Sequence, residues 1–385
     1  MRTSDVFDLL RDGRPRTRAQ LAETSGLARS TITSRIDTLL RLGLVVPIGD
    51  AASTGGRPPS LLAFNPAARV VAGIDLGASH ARAALADLSG TVLAERRADL
   101  DIAEGPEMVL GWATSVVAEL LGEVGRRRDE LAAIGMGLPG PVEHSTGRAI
   151  NPPIMPGWDR YDVPGHVQRA IDVPVMVDND VNIMALGEQH AHLPGVADLV
   201  FVKVGTGIGA GIISGGQLQR GAQGTAGDVG HIRIDRAAGI TCRCGNEGCL
   251  EALASGAAVA AALREAGIDA HDGADVVRLA RSGDLRAVQA VRQAGRDLGE
   301  VLAMLVNLMN PSVVVIGGSL ALAGEHLLAG IREVVYQRSL PLATAQLQVV
   351  ASTAGERAGV LGAAALAITH ALSADAIEDA STALG

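Results

Sequence analysis

Three cysteines crowd into the stretch Cys242-Arg243-Cys244-Gly245-Asn246-Glu247-Gly248-Cys249, and His231 precedes them. Cys-x-Cys-x4-Cys with one histidine offers three thiolates and an imidazole, the complement of a closed tetrahedral zinc site. An odd number of cysteines so close together makes no disulfide framework, and metal binding in a reducing compartment is the better reading. Four protein ligands keep no position open, so such a zinc is structural rather than catalytic. A second chemical signal is the glycine run Gly205-Thr206-Gly207-Ile208-Gly209-Ala210-Gly211 after an apolar strand. It can aim backbone N–H groups at phosphate oxygens, although glycines at that spacing also make plain hairpins. The chain has a single lysine, Lys203, and no Gly-Lys pair. A P-loop nucleotide site, which needs that pair, is excluded.

These residues sit in a chain of 385 residues, 48% of them hydrophobic, a length for two or three domains and large cores. Disorder is excluded. No apolar run approaches the roughly 18 residues that cross a bilayer, and the opening residues lack an apolar signal-type core. A soluble cytoplasmic protein is expected. Glycine supplies 48 residues and the aromatic types few, which predicts many tight turns and a core of Ala, Val, Leu and Ile. The net charge of −9 is unevenly spread: residues 1–66 carry +3 and the remainder −12. A small basic head that can attract phosphate backbones precedes an acidic body that should not.

In the head, Val6, Leu9 and Leu10 have helical spacing within 5–11, and a break follows at 12–15. Thr17-Arg18-Ala19-Gln20 reads as a capping box opening a helix over 18–24. Gly26 makes the turn into a third helix over 29–42, with Ile32, Ile36, Leu39 and Leu40 on one face. This is helix-turn-helix geometry, in which the exposed Arg29, Ser30, Thr33 and Ser34 would reach base edges. Strands at 44–48 and 61–64 flank a Gly/Pro-rich tip and make a wing. Arg57 on that tip could enter a minor groove.

From 67 to 385 the chain reads as a duplicated α/β body. A strand at 70–77 ends in Asp75-Leu76-Gly77 and continues as a meander over 81–88 and 91–98. A helix over 106–127, a strand over 131–137, and a strand over 173–177 follow, the last running into Asn179-Asp180-Val181-Asn182 and a helix to about His190. The pattern restarts at 199–204 with the glycine run and a strand at Ile212-Ile213. Two such halves imply two lobes with a cleft between them.

The combination of Asp75-Leu76-Gly77, Asn179-Asp180-Val181-Asn182, the glycine run, Gly227-Asp228-Val229-Gly230-His231 and the cysteine motif ending Cys249-Leu250-Glu251 resembles the ROK family of repressors, open reading frames and sugar kinases. The resemblance covers about 68–372, and the winged head matches the repressor branch. It implies an actin-like, ribonuclease-H-type two-lobed fold, structural zinc on His231, Cys242, Cys244 and Cys249, and a sugar pocket of Asn151, Asn179, Asp180, Asp228, His231 and Glu251. Kinases of the family usually carry Glu where this chain has Asp228. Their general base corresponds to Asp180. Their first phosphate loop reads Asp-x-Gly-Gly-Thr-Lys, against Asp75-Leu76-Gly77-Ala78-Ser79-His80 here, which places a Cβ and an imidazole where a glycine and a fixed cation are usual. Gly205, Thr206, Gly207 and Gly209 keep the second loop, and Gly317 and Gly318 resemble the adenosine-side turn. The reading is a sugar-responsive transcriptional regulator, a repressor of carbohydrate genes. The alternative is an ATP-dependent sugar kinase with a DNA-binding head. The resemblance further implies a homodimer or homotetramer on a palindromic operator, with a sugar or sugar phosphate as effector and no membrane partner.

Overall fold

The computed structural model describes residues 2–51, 58–152 and 154–384. Arg57 lies outside the described residues.

The head holds α1 (Thr3–Asp8), α2 (Arg18–Ser25), α3 (Arg29–Arg41) and the antiparallel strands β1 (Val45–Asp50) and β2 (Ser60–Phe64). The capping box forms as the sequence predicts: Gln20 N donates to Thr17 Oγ1 at 3.2 Å and Thr17 N to Gln20 Oε1 at 2.8 Å. Gly26 takes φ +70°, which ends α2 and turns the chain into α3. The stripe Ile32, Ile36 and Leu39 is buried, and Phe7 meets Phe64 edge to face at 5.4 Å. The first helix is shorter than the 5–11 expected; Leu9 and Leu10 fall in the turn after it, where Leu10 is still buried.

The first lobe holds β3 (Val70–Leu76), β4 (Ala81–Asp87), β5 (Val92–Ala98), α4 (Pro106–Glu123), β6 (Leu131–Leu138), the small pair β7 (Val142–Glu143) and β8 (Arg148–Ala149), α5 (Val163–Ala170), β9 (Val175–Asn179) and α6 (Asp180–His192). The second holds β10 (Leu199–Val204), β11 (Ile208–Ser214), β12 (Gln217–Leu218), α7 (Glu251–Ala254), α8 (Gly256–Glu265), α9 (Gly273–Arg281), α10 (Leu285–Met309), β13 (Val313–Gly317), α11 (Glu325–Arg338), α12 (Pro341–Thr344) and β14 (Gln348–Ala351). Two helices close the chain, α13 (Ala358–Ala371) and α14 (Ala374–Ala383).

The five-stranded sheets run β5-β4-β3-β6-β9 and β12-β11-β10-β13-β14, each an antiparallel meander extended by two parallel strands. This is the duplication legible in the sequence, and it makes the two-lobed actin-like α/β body behind the head. Helix α13 packs on β3 and β6, α6 packs on β10 and β11, and the two helices pack on each other. Glycines allow that approach: a Cβ on Gly187 would overlap the Ala358 carbonyl oxygen, and one on Gly362 the Ile183 carbonyl oxygen. No single helix among the described residues is long and apolar enough to cross a membrane.

The head is not independent of the body. Val6, Phe7, Leu10 and Leu39 share one apolar cluster with Val71, Ala133, Ala367, Leu372 and Ile377. The last helix, α14, reaches back to α1, where Ser4 N and Ser4 Oγ donate to Glu378 Oε1 at 2.9 and 3.1 Å. Glu378→Ala leaves both donors of Ser4 without their shared acceptor and is expected to cost about 1 kcal/mol, since the contact is only partly buried. Faster amide exchange in 3–8 with the rest of the protein unchanged would be the signature; unaltered exchange there would show that α14 does not hold α1.

Candidate functional site

Four ligand atoms from His231, Cys242, Cys244 and Cys249 lie within 4.8 Å of one another. The Cys244 and Cys249 sulfurs are 3.7 Å apart, and Cys242 Sγ is 3.7 Å from His231 Nδ1. Thiolates bound at 2.3 Å to one tetrahedral ion stand about 3.8 Å apart, so the donor set fits a metal of that kind. Burial and the neighbouring sulfurs push the Cys249 thiol up to about 12, whereas the backbone N–H of Asn246 lowers Cys244. On the other side of the imidazole, His231 Nε2 lies 3.9 Å from Asp228 Oδ1, so His231 borders both the cysteine cluster and the sugar-site candidate Asp228.

The motif also reaches the cleft. Glu251 opens α7 and accepts Ile208 N at 3.0 Å, while Arg243, between two of the cysteines, donates to Thr206 O at 3.1 Å and lies 3.8 Å from Glu251 Oε1. The metal loop is thus tied to the Gly205–Gly207 turn through one carboxylate and one guanidinium. That turn is shorter than the glycine run suggests. Gly209 and Gly211 stand inside β11, paired with Lys203 and Phe201, because the antiparallel register resumes at Ile208. Gly211 serves packing, since a Cβ there would strike Ala185 and the Val181 carbonyl of α6. Gly317 ends β13 over the Phe201 ring, and Gly318 needs its φ of +86° beside the Val204 carbonyl. Their packing alone accounts for glycine at both positions.

In the first lobe, Asn179 is the N-cap of α6: its Oδ1 accepts Val181 N at 2.9 Å, and its Nδ2 donates to Gly140 O at 2.8 Å. Asp180 follows, 5% exposed, and its Oδ2 accepts Lys203 Nζ at 2.5 Å. Asp178, also buried, accepts from Arg220 Nε at 2.6 Å and from Asn182 Nδ2 at 2.8 Å. Asn151 lies on the rim at φ +46°, held by Asp159, and lines a cavity of about 550 Å³ with Arg148, Arg160 and Gln223. The first loop closes on itself: Gly77 N donates to His80 O at 2.8 Å, and the His80 imidazole covers Gly77 where a Cβ would stand. The Gly77 N–H is therefore turned away from any phosphate. Lys203, Arg220 and Arg243 acquire their cleft roles from tertiary contacts; only the uniqueness of Lys203 was a signal in the sequence.

On the head, Arg29, Ser30, Thr33 and Ser34 are exposed along the first turns of α3. Thr33 Oγ1 donates to its own helix at Arg29 O, 2.9 Å, and Arg18 on α2 pairs with Asp37 on α3 at 2.7 Å. The pair neutralises the one carboxylate on that face and fixes the angle between the helices.

Two family models match separate parts of the chain: the ROK family model matches 71–370 and the IclR helix-turn-helix domain 1–48. The chain belongs to the ROK family. It is 32% identical over 382 residues to a xylose repressor of Caldicellulosiruptor bescii, covering 96% of this chain and 95% of that protein. It is 31% identical to the DNA-binding transcriptional dual regulator NagC of Escherichia coli, covering 95% and 92%. Among solved structures, a ROK family transcriptional regulator, a homolog of the E. coli MLC protein, superposes with a TM-score of 0.84 at 28% identity over 99% of this chain and 98% of that one. A ROK family glucokinase from Streptomyces griseus matches the body alone, with a TM-score of 0.66 at 30% identity, over 77% of this chain and 99% of its own. The end-to-end matches place this ROK protein with the DNA-binding regulators, as the winged head implies.

Proposed function

We propose that this ROK protein is a sugar-responsive transcriptional repressor of carbohydrate genes, acting in the cytoplasm. Residues 1–66 bind operator DNA, through α3 and the wing carrying Arg57, and residues 67–385 sense the sugar. The observation that carries this reading is the head joined by a shared core to a sugar-kinase-like body, in a chain whose whole length superposes on a ROK family transcriptional regulator. Residues Asn151, Asp180, Asp228, His231 and Glu251, with one free N–H of Asn179, form the sugar-binding edge of the cleft. Zinc is held by His231, Cys242, Cys244 and Cys249; when bound it supplies a rigid crosslink, and the chemistry at the cleft belongs to the protein's own side chains. The closed Gly77–His80 turn supports a cleft that binds sugar without transferring phosphate, since such transfer depends on positioned phosphate oxygens.

The repressor binds as a symmetric dimer or tetramer to a palindromic operator, and the sugar must bind one global state better than the other to alter that binding. A mobility-shift titration of a labelled operator at fixed salt, with xylose, glucose, N-acetylglucosamine and their phosphates added in turn, tests it. One of them is expected to change operator affinity; no change with any of them defeats the sensor reading.

Asp180→Asn keeps the side-chain shape, removes the charge and one acceptor, and is expected to weaken sugar binding by roughly 1–3 kcal/mol while operator binding without sugar persists. Calorimetric titration of the effective sugar measures it. A phosphorylated sugar made by the wild type from ATP and lost in Asp180→Asn would replace the sensor by a kinase with a DNA-binding head.

A further inference from the structure

The only lysine of the chain lies half-buried in its cleft. Lys203 lies on β10 with its side chain 26% exposed, and its Nζ donates to Asp180 Oδ2 at 2.5 Å. A second carboxylate stands at the same sheet edge. Asp75 pairs in register with Gly137 of β6, and a Cβ on Gly137 would come within 3.6 Å of the Asp180 Cα, so Asp75 and Asp180 flank one glycine. Asp75 is 7% exposed, and no donor among the described residues hydrogen-bonds its carboxylate. The His80 imidazole is 3.9 Å away, and the first turn of α13 presses on it at Gly359.

Two buried carboxylates side by side repel each other and need a cation. Phosphotransfer sites supply one as a divalent ion, held by one or two carboxylates and bridging the phosphate oxygens. Here a cation is already covalently attached. Burial alone would lower the pKa of Lys203, but the charge and hydrogen bond of Asp180 and the charge of Asp75 outweigh it and raise it. The ammonium is therefore a fixed positive charge, and a divalent ion entering between the carboxylates would meet it in a pocket poorly screened by water.

We propose that Lys203 is a tethered counter-ion that takes the place of a divalent cation beside Asp75 and Asp180, so that the cleft binds its sugar without metal and cannot assemble a metal–phosphate complex. This rests on the reading of the cleft as a sensor that transfers no phosphate.

The test uses the zinc-loaded full chain and Mn²⁺ as the probe, an ion that prefers oxygen ligands over the cysteine cluster. Lys203→Gln keeps a donor toward Asp180 and removes the charge. Electron paramagnetic resonance titration is expected to show one Mn²⁺ bound per Lys203→Gln chain, roughly tenfold or more tighter than any binding to the wild type. The gain is expected to disappear in Lys203→Gln/Asp75→Asn. The melting temperature of Lys203→Gln is expected to rise with Mn²⁺ and that of the wild type to stay constant, a readout that serves even if the variant is poorly folded without the ion. Lys203→Gln/Asp180→Asn, which removes both charges, is expected to melt near the wild type. A Lys203→Gln chain whose Mn²⁺ binding and melting temperature match the wild type overturns the inference, as does wild-type Mn²⁺ binding that Asp75→Asn abolishes. Neither result touches the sensor reading, which falls instead if the wild type phosphorylates a sugar.

Discussion

Stripping zinc with a chelator, or replacing Cys244 by Ser, is expected to lower the melting temperature and abolish the sugar response together. Apart from the candidate ligands, the segment from Ile232 to Leu250 is held chiefly by Arg236, whose guanidinium donates to the buried Asp297 carboxylate of α10 at 2.8 and 2.6 Å. Beyond the ligands, its buried apolar side chains are Ile234, Ala237 and Leu250, and its only ladders are the isolated bridges Arg233 to Cys249 and Thr241 to Glu247. Binding free energies of about 10 kcal/mol and above for structural zinc in small peptides set the upper bound, because here part of the segment is anchored by the second lobe. Loss of the ion should also free Glu251, two residues beyond Cys249, from Ile208 N, and Arg243 from Thr206 O. The effect should therefore reach the cleft rather than stay in the loop. Because the buried Cys249 thiol is protonated without metal, binding must displace a proton, and zinc affinity is expected to fall as pH falls. Metal analysis of purified protein, calorimetric melting and the mobility shift with sugar check the chain of reasoning. Metal-free protein that melts and responds like the wild type would sink it.

Gly362→Val is expected to destabilise the body by on the order of 3 kcal/mol, against an opposite preference of the isolated helix. Replacing a helical glycine by alanine gains up to about 1 kcal/mol in propensity, and valine gains somewhat less. At Gly362 any Cβ overlaps the Ile183 carbonyl oxygen and crowds Gly187 N, both backbone atoms that no rotamer change can move. Overpacking of that kind costs about 1–3 kcal/mol and more when backbones must separate, so packing wins over propensity. The consequence extends to function, because α6 carries Asp180 at its first residue and α13 presses on Asp75 at Gly359. Parting the helices shifts both carboxylates, so sugar affinity should fall along with the melting temperature. A variant as stable as the wild type would mean that α6 and α13 separate at little cost and do not hold the lobes in register.

Local chemistry wrote much of this protein legibly into its sequence. The capping box at Thr17 and Gln20, the stripe Ile32, Ile36 and Leu39, and the repeated strand meanders are short-range periodicities, dictated by the 3.6- and 2-residue repeats of helix and strand. The His231, Cys242, Cys244 and Cys249 cluster was readable because three of the four lie within eight residues, where spacing nearly determines geometry. What lay beyond that range depended on how sheets and helices stack. Gly209 and Gly211 look like loop residues until pairing with Lys203 and Phe201 puts them in a strand. Asn179, one of the sugar-pocket candidates, also caps α6 with its amide oxygen, a second role that only the placement of α6 reveals. The contact of Lys203 with Asp180, of Arg220 with Asp178, and of Ser4 with Glu378 join residues 23, 42 and 374 positions apart. An ion pair or a buried hydrogen bond needs its partners within about 3 Å, and over such separations only the tertiary fold can bring them there.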